Sequence, residues 1–139
     1  PKPVIDLLVN KARPFIYTTA PSPVNCAAAL AALKIIKDEP DRRKRLRDNA
    51  EYLRIKLKSP GLNTGNSCTH IVPVIIGEDK KAVAVSDRLY EMGIFVAAIR
   101  PPTVAAGTAR LRISLQSEHT TAQIDTLCES LGQITASAE

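Results

Sequence analysis

Tryptophan is absent from this 139-residue chain, and its aromatics amount to three Tyr and two Phe. So few rings leave no stacking platform of the kind a single-strand nucleic-acid binder uses. No apolar run approaches the roughly 20 residues needed to cross a bilayer. No cationic segment followed by an apolar stretch and a small-residue cleavage site opens the chain, so a secretory leader is not expected. The three cysteines, Cys26, Cys68 and Cys128, are odd in number and far apart. That pattern is neither a disulfide framework nor the paired spacing of a zinc site, so no metal is expected and the cytoplasm is the expected compartment. No internal repeat is present, and the length and 45% hydrophobic content suit one compact core, alone or as a piece of something larger.

Charge is plentiful but confined. Residues 41–58, DRRKRLRDNAEYLRIKLK, carry eight basic and three acidic side chains, which accounts for the whole formal net charge of +5. Leu46, Ala50, Leu53 and Leu57 recur there at steps of four, three and four, the stripe of an amphipathic helix with its charges on the outer face. A solvated helix face explains the basic cluster; a nucleic-acid-binding module is the competing reading.

Val4, Ile5, Leu8 and Val9 have helical spacing, and the prolines of RPFIYTTAPSP then predict an extended crossing. Ser22 before Pro23 is a start signal, Ser as a cap and Pro at the first helical position. The Ala-rich helix that follows is stopped by Pro40, and SPGLNTGNSC is a polar connecting loop. HIVPVII and GIFVAAI are β-branched runs compatible with buried strands. Between them lies a helix closed by Gly93 in the left-handed position. ARLRISL alternates Leu111, Ile113 and Leu115 with Arg110, Arg112 and Ser114, a strand with one polar face. Thr120 and Gln123 form a capping box ahead of a helix carrying Ile124, Leu127, Cys128 and Leu131. Three strands and these helices predict an α+β layer, a short sheet covered by helices on one face.

Two places could bind anions. Arg110 and Arg112, two apart on a strand, share a face, and the stiff loop RPPTVAAG before them carries Arg100 and Thr103. Pairing with surface carboxylates is the plain alternative for the arginines. Thr18 and Thr19 precede a helix whose first turn offers free N–H groups and a partial positive charge, suited to a phosphate. Capping or turning the chain is the plain alternative for the threonines.

The stretches ARPFIYTTAPSPVNCAAALAAL, HIVPVIIG, LYEMGIFVAAIRPPTVAAGTARLRISL and EHTTAQIDTLCESL together resemble the C-terminal part of the α-oxoamine synthases. These are pyridoxal-phosphate (PLP) acyltransferases of aminotransferase fold type I. The likeness covers nearly the whole chain, and the run from Gly93 to Leu115 is its specific part. The loop Arg100-Pro101-Pro102-Thr103 differs from the Asn-Tyr-Pro-Thr of 5-aminolevulinate synthases and the Ser-Phe-Pro-Val of glycine C-acetyltransferases. It points to the branch that condenses L-alanine with a pimeloyl thioester, with loss of CO2, in biotin biosynthesis. Those two sister activities are the alternatives within the family.

The resemblance implies a cytoplasmic homodimer with PLP as cofactor and small-molecule substrates, alanine and a pimeloyl thioester of coenzyme A or acyl carrier protein, with neither nucleic acid nor membrane as partner. It implies a mainly antiparallel three-stranded sheet in the small C-terminal domain, residues 21–139, with residues 1–20 linking to a large PLP domain. Arg112 resembles the arginine that grips the amino-acid α-carboxylate, with Arg110 its solvent-side or structural neighbour. Thr103 resembles a substrate-contacting threonine, and Arg100 an arginine facing the acyl-chain carboxylate. Thr18 and Thr19 resemble the hydroxyl pair that reaches the cofactor phosphate across the dimer interface. The Schiff-base lysine, the acidic partner of the pyridine nitrogen and the ring-stacking side chain all lie upstream in the family. No lysine here has that context, and neither His70 nor His119 matches the stacking position. The implication is a C-terminal fragment with no catalytic residue of its own, inactive alone.

Overall fold

The computed structural model describes residues 1–136, and the chain divides into two compact units, Pro1–Glu39 and Pro40–Glu139. The first unit holds three helices: α1 (Lys2–Lys11), α2 (Arg13–Ile16) and α3 (Pro23–Asp38). The extended crossing expected after α1 therefore begins with one helical turn, which Pro14 favours through its fixed φ. Arg13 sits 5.9 Å from the ring centroid of Tyr17 and closes that turn. Ser22 occupies the N-cap of α3, but its hydroxyl makes no capping bond. The start rests on Pro23 and on the backbone bond from Cys26 N–H to the Ser22 carbonyl, 3.0 Å. None of the three helices buries a residue.

The second unit carries the core. α4 (Pro40–Lys58) is followed by β1 (Ile71–Gly77), α5 (Asp79–Glu91), β2 (Ala97–Ile99), β3 (Ala109–Ser114) and α6 (Thr121–Ala136). The sheet has the order β1-β3-β2 with both pairings antiparallel, so the last strand lies in the middle. Ala109, Leu111 and Ile113 of β3 face inward beside Val72 and Val74 of β1. Over them pack Ala50, Leu53 and Leu57 of α4, Val85 and Leu89 of α5, and Ile124, Leu127 and Leu131 of α6. The stripe expected on α4 is thus the buried one, with Leu46 at its margin. All three helices cover one face, and the alternate residues of the strands line the other.

Two ends behave as the residue types dictate. Gly93 takes φ +79°, and its N–H and that of Ile94 return to the carbonyls of Tyr90 (2.9 Å) and Leu89 (2.8 Å), closing α5 with a Schellman motif. Thr120 N–H donates to Gln123 Oε1 at 2.9 Å, and Gln123 N–H to Thr120 Oγ1 at 3.3 Å, the reciprocal pair expected before α6. The strand expected across GIFVAAI is shorter than its apolar run. Ile94 N–H is committed to the helix end and the Val96 carbonyl accepts from Ser86 Oγ at 2.6 Å, so ladder pairing begins only at Ala97.

α4 and α6 are joined by charge. Asp125 Oδ1 accepts from Lys56 Nζ and from Tyr52 OH, each at 2.8 Å, and the Lys56 ammonium lies 5.3 Å from the Tyr52 ring centroid. These bonds hold the Asp125 carboxyl below its ordinary range and the Lys56 ammonium above its own. Burial beside them pushes the Cys128 thiol up to about 11.

Candidate functional site

β3 presents Arg110, Arg112 and Ser114 on the face opposite the helices. Cross-strand register sets their neighbours: Arg112 stands between Pro73 of β1 and Ala97 of β2, and Arg110 between Ile75 and Ile99. Directly opposed residues point to the same side of a sheet. The open face is therefore an apolar bed with two guanidinium groups rising from its centre. Alternation alone placed the arginines together; the bed could not be foreseen, because the pairing partners of a strand are not written in its own residues.

The two arginines differ. Arg110 is half-buried, and its Nε donates to the Thr108 carbonyl at 3.0 Å, which ties the side chain back toward the loop. Arg112 is exposed, and among the described residues it forms no ion pair with a carboxylate. The surface pairing that would account for it blandly is missing.

Arg100 directly follows Ile99, the β2 residue paired with Arg110, so it enters the loop at the same end of the open face. Thr103 N–H donates to the Arg100 carbonyl at 3.1 Å, a turn that returns Thr103 toward Arg100. Both side chains are exposed, and Arg100 likewise lacks an ion pair among the described residues. The β2–β3 loop then closes through Thr108, whose N–H (3.1 Å) and hydroxyl (2.8 Å) both donate to the Ala105 carbonyl. Arg100, Thr103 and Arg112 thus belong to one strand–loop–strand unit, with no bond among their side chains.

Thr18 and Thr19 lie in the first unit, in the irregular segment between α2 and α3. Both are exposed. Thr18 Oγ1 reaches only the Thr19 carbonyl, at 3.4 Å, and the Thr18 N–H makes a 3.5 Å contact with the Phe15 carbonyl. Neither hydroxyl caps α3, so the donor capacity of the pair is largely uncommitted.

His70 and His119 stand apart from the open face. His119 Nδ1 accepts from Gln116 N–H at 3.1 Å, within the turn ahead of α6. His70 precedes β1, and its carbonyl accepts from Leu115 N–H at 3.1 Å. Among the described residues no group of His, Cys, Asp and Glu could hold a metal, and no helix is long and apolar enough to cross a membrane.

This chain is similar to known proteins along nearly its whole length. The 8-amino-7-oxononanoate synthase of Methylococcus capsulatus is 45% identical over 128 residues, which are 92% of this chain and 33% of that protein. The solved 8-amino-7-oxononanoate synthase of Francisella tularensis superposes with a TM-score of 0.85 at 29% identity, covering 99% of this chain and 40% of that one. Serine palmitoyltransferase from S. paucimobilis, solved with PLP and myriocin bound, superposes with a TM-score of 0.88 at 30% identity, over 97% of this chain and 34% of that one. The chain spans about a third of the length of the curated relatives it matches, and corresponds to their C-terminal part. The helix-covered three-stranded sheet is accordingly the small-domain fold of fold type I PLP enzymes. The profile for aminotransferase class I and II matches residues 1–131, and this chain belongs to that family.

Proposed function

We propose that the full-length protein condenses L-alanine with a pimeloyl thioester to give 8-amino-7-oxononanoate, CO2 and the free thiol carrier, in biotin biosynthesis, as a cytoplasmic homodimer. The observation that carries the reading is the open sheet face. Arg112 stands there without a carboxylate partner among the described residues, on the same strand–loop–strand unit as Arg100 and Thr103, in a chain 45% identical to a named synthase. On this reading residues 1–20 lead from a large upstream domain, and residues 21–139 form the small one.

Each residue has a task its chemistry suits. Arg112 binds the alanine carboxylate through two parallel N–H···O bonds, which a planar guanidinium can make and an ammonium cannot. Arg110, tied to the Thr108 carbonyl, keeps the β3 end of the loop in register beside it. Arg100 faces the distal carboxylate of the pimeloyl chain, and Thr103 contacts the substrate from the same turn. Pro73 and Ala97 flank Arg112 across the sheet and give its stem an apolar bed.

The residues present fit the cofactor at its phosphate end. Thr18 and Thr19 offer two exposed hydroxyls with little competing bonding, and both donate to the phosphate across the dimer interface. PLP, when bound, supplies the electron sink that carbanion chemistry at the alanine Cα requires. The lysine that holds it belongs to the upstream part, so this chain alone is inactive.

The test is substrate choice. Full-length protein supplied with PLP should release CO2 and the oxoamine from alanine and a pimeloyl thioester. Replacing alanine with glycine, or pimeloyl with acetyl or succinyl, should cost at least a decade in kcat/KM. Preference for glycine with a short acyl donor would move the protein to a sister branch, and preference for serine with a long one to the palmitoyltransferases.

A further inference from the structure

The strongest charge on the molecule lies on α4, away from the arginines of the sheet face. Eight cations occur in 18 residues, and apart from Lys44, which lies 3.9 Å from Asp48, the structure divides them between two flanks. On one flank α6 and the turn before it supply counter-charge: Arg42 and Arg45 meet Glu118 at 3.0 and 3.4 Å, and Lys56 meets Asp125 at 2.8 Å. The other flank carries Arg43, Arg47, Arg54 and Lys58. At 100° per residue these four fall within about 60° of arc, and at 1.5 Å per residue they extend over about 22 Å. Arg54 is held in place there, donating to Glu51 at 2.8 Å and, through Nη1, to the Thr69 carbonyl at 2.8 Å. Arg47 and Lys58 are exposed and make no ion pair among the described residues. Beside this stripe runs an open groove of about 380 Å³, between Arg47 and Arg54 on one side and Cys68, Thr69 and His70 on the other.

We propose that this flank of α4 and its groove dock an acidic, helical carrier protein that brings the pimeloyl thioester, an inference that rests on the condensation proposed above. The length of the stripe selects among thioester carriers. The phosphates of a coenzyme A molecule cluster at one end of it and can engage only part of a 22 Å row. A protein helix with a carboxylate-rich flank can oppose the whole row and set one helix side in the groove. Duplex nucleic acid fits less well, because its unbroken row of phosphates would face Asp48 and Glu51 in the groove, whereas a protein helix can set neutral or basic side chains against these two. A carrier protein's acyl group rides on a flexible arm, so its docking surface need not adjoin the reacting atoms.

The experiment compares two acyl donors on the full-length protein, wild type and the double variant Arg47→Glu/Lys58→Glu. With pimeloyl-acyl carrier protein the variant should show a KM raised tenfold or more and kcat unchanged. With pimeloyl-coenzyme A both constants should stay within twofold of wild type. Raising salt from 50 to 300 mM should raise the wild-type KM for the carrier protein and leave that of the variant nearly flat. The neutral variant Arg47→Gln/Lys58→Gln should fall between, which separates lost attraction from misfolding. An unchanged carrier KM overturns the proposal, as does an equal loss with both donors. So does loss of duplex DNA binding with carrier kinetics intact, which would make the stripe a nucleic-acid surface. If wild type turns over neither donor, the condensation reading is what fails. Titration of wild type and variant with labelled carrier protein then decides the docking surface by itself, a tenfold weaker variant supporting it and equal affinities refuting it.

Discussion

Arg112→Lys separates a substrate anchor from a structural cation. The replacement keeps one positive charge on the open face but loses the flat fork that can meet both carboxylate oxygens. Arg112 is exposed and bonded to no carboxylate among the described residues, so the fold loses no ion pair when it changes. Its Cα remains paired with Pro73 and Ala97 through the backbone ladder, which does not depend on the side chain. Stability should therefore move by less than about 0.5 kcal/mol, the usual range for a surface position. Function should change far more. One of two charge-assisted bonds is lost and the other loses its direction, together about 3 kcal/mol, or two decades in kcat/KM for alanine. Arg110→Lys is the control. Its Nε bond to the Thr108 carbonyl is a side-chain to backbone tie, and a lysine ammonium can replace it, so a loss below fivefold is expected. Steady-state kinetics on full-length variants, with melting temperature and PLP absorbance measured in parallel, gives all three readouts. Equal losses for the two variants would refute the assignment, as would a lowered melting temperature for Arg112→Lys with alanine kinetics intact.

Three further outcomes follow from the packing and the charges. Leu111→Ala, at a fully buried position in the middle strand, should destabilise the 139-residue chain by about 3 kcal/mol, whereas Ile71→Ala on the open face should cost under about 1 kcal/mol; urea denaturation of both checks this. Asp125 has its carboxyl pKa lowered by Lys56 and Tyr52, so its contribution to stability is present above the unfolded-state value and disappears as pH falls through the folded one. Asp125→Asn should accordingly lower the urea midpoint at pH 7, with the difference from wild type shrinking as pH falls below the ordinary carboxylate range, and a difference that stays constant on acidification would contradict the linkage. Replacing Thr18 and Thr19 together by Val in the full-length protein removes two hydroxyl donors at about 1 kcal/mol or more each, so PLP affinity should fall ten- to a hundredfold by cofactor titration. Unchanged affinity returns the pair to a chain-turning role.

Local rules carried far in this chain. The four-three-four step of Leu46, Ala50, Leu53 and Leu57 predicted both α4 and its buried side, because helix period and burial depend on the same residues. Gly93 and the Thr120–Gln123 box marked real helix ends for the same reason, each being a bond between near neighbours. The misses occur where distant groups compete for a backbone atom. GIFVAAI has strand composition throughout, yet Ser86 and the end of α5 claim the carbonyl and N–H that a longer β2 would need. Val4, Ile5, Leu8 and Val9 do form a helix, but all four are about half exposed within this chain, because helical period sets a shared side and not what packs against it. At the candidate site, alternation in ARLRISL put Arg110 and Arg112 on one face. Their apolar flanks and the tie that distinguishes them arise from cross-strand register and a loop carbonyl, both set by tertiary pairing.

The most direct test of the central claim is a crystal structure of the full-length protein with PLP and L-alanine. The Arg112 guanidinium should lie with two nitrogens about 2.7–2.9 Å from the two carboxylate oxygens of alanine, with Arg110 still bonded to the Thr108 carbonyl. An alanine carboxylate held by other residues, with Arg112 paired instead to a carboxylate of the protein, would contradict the claim.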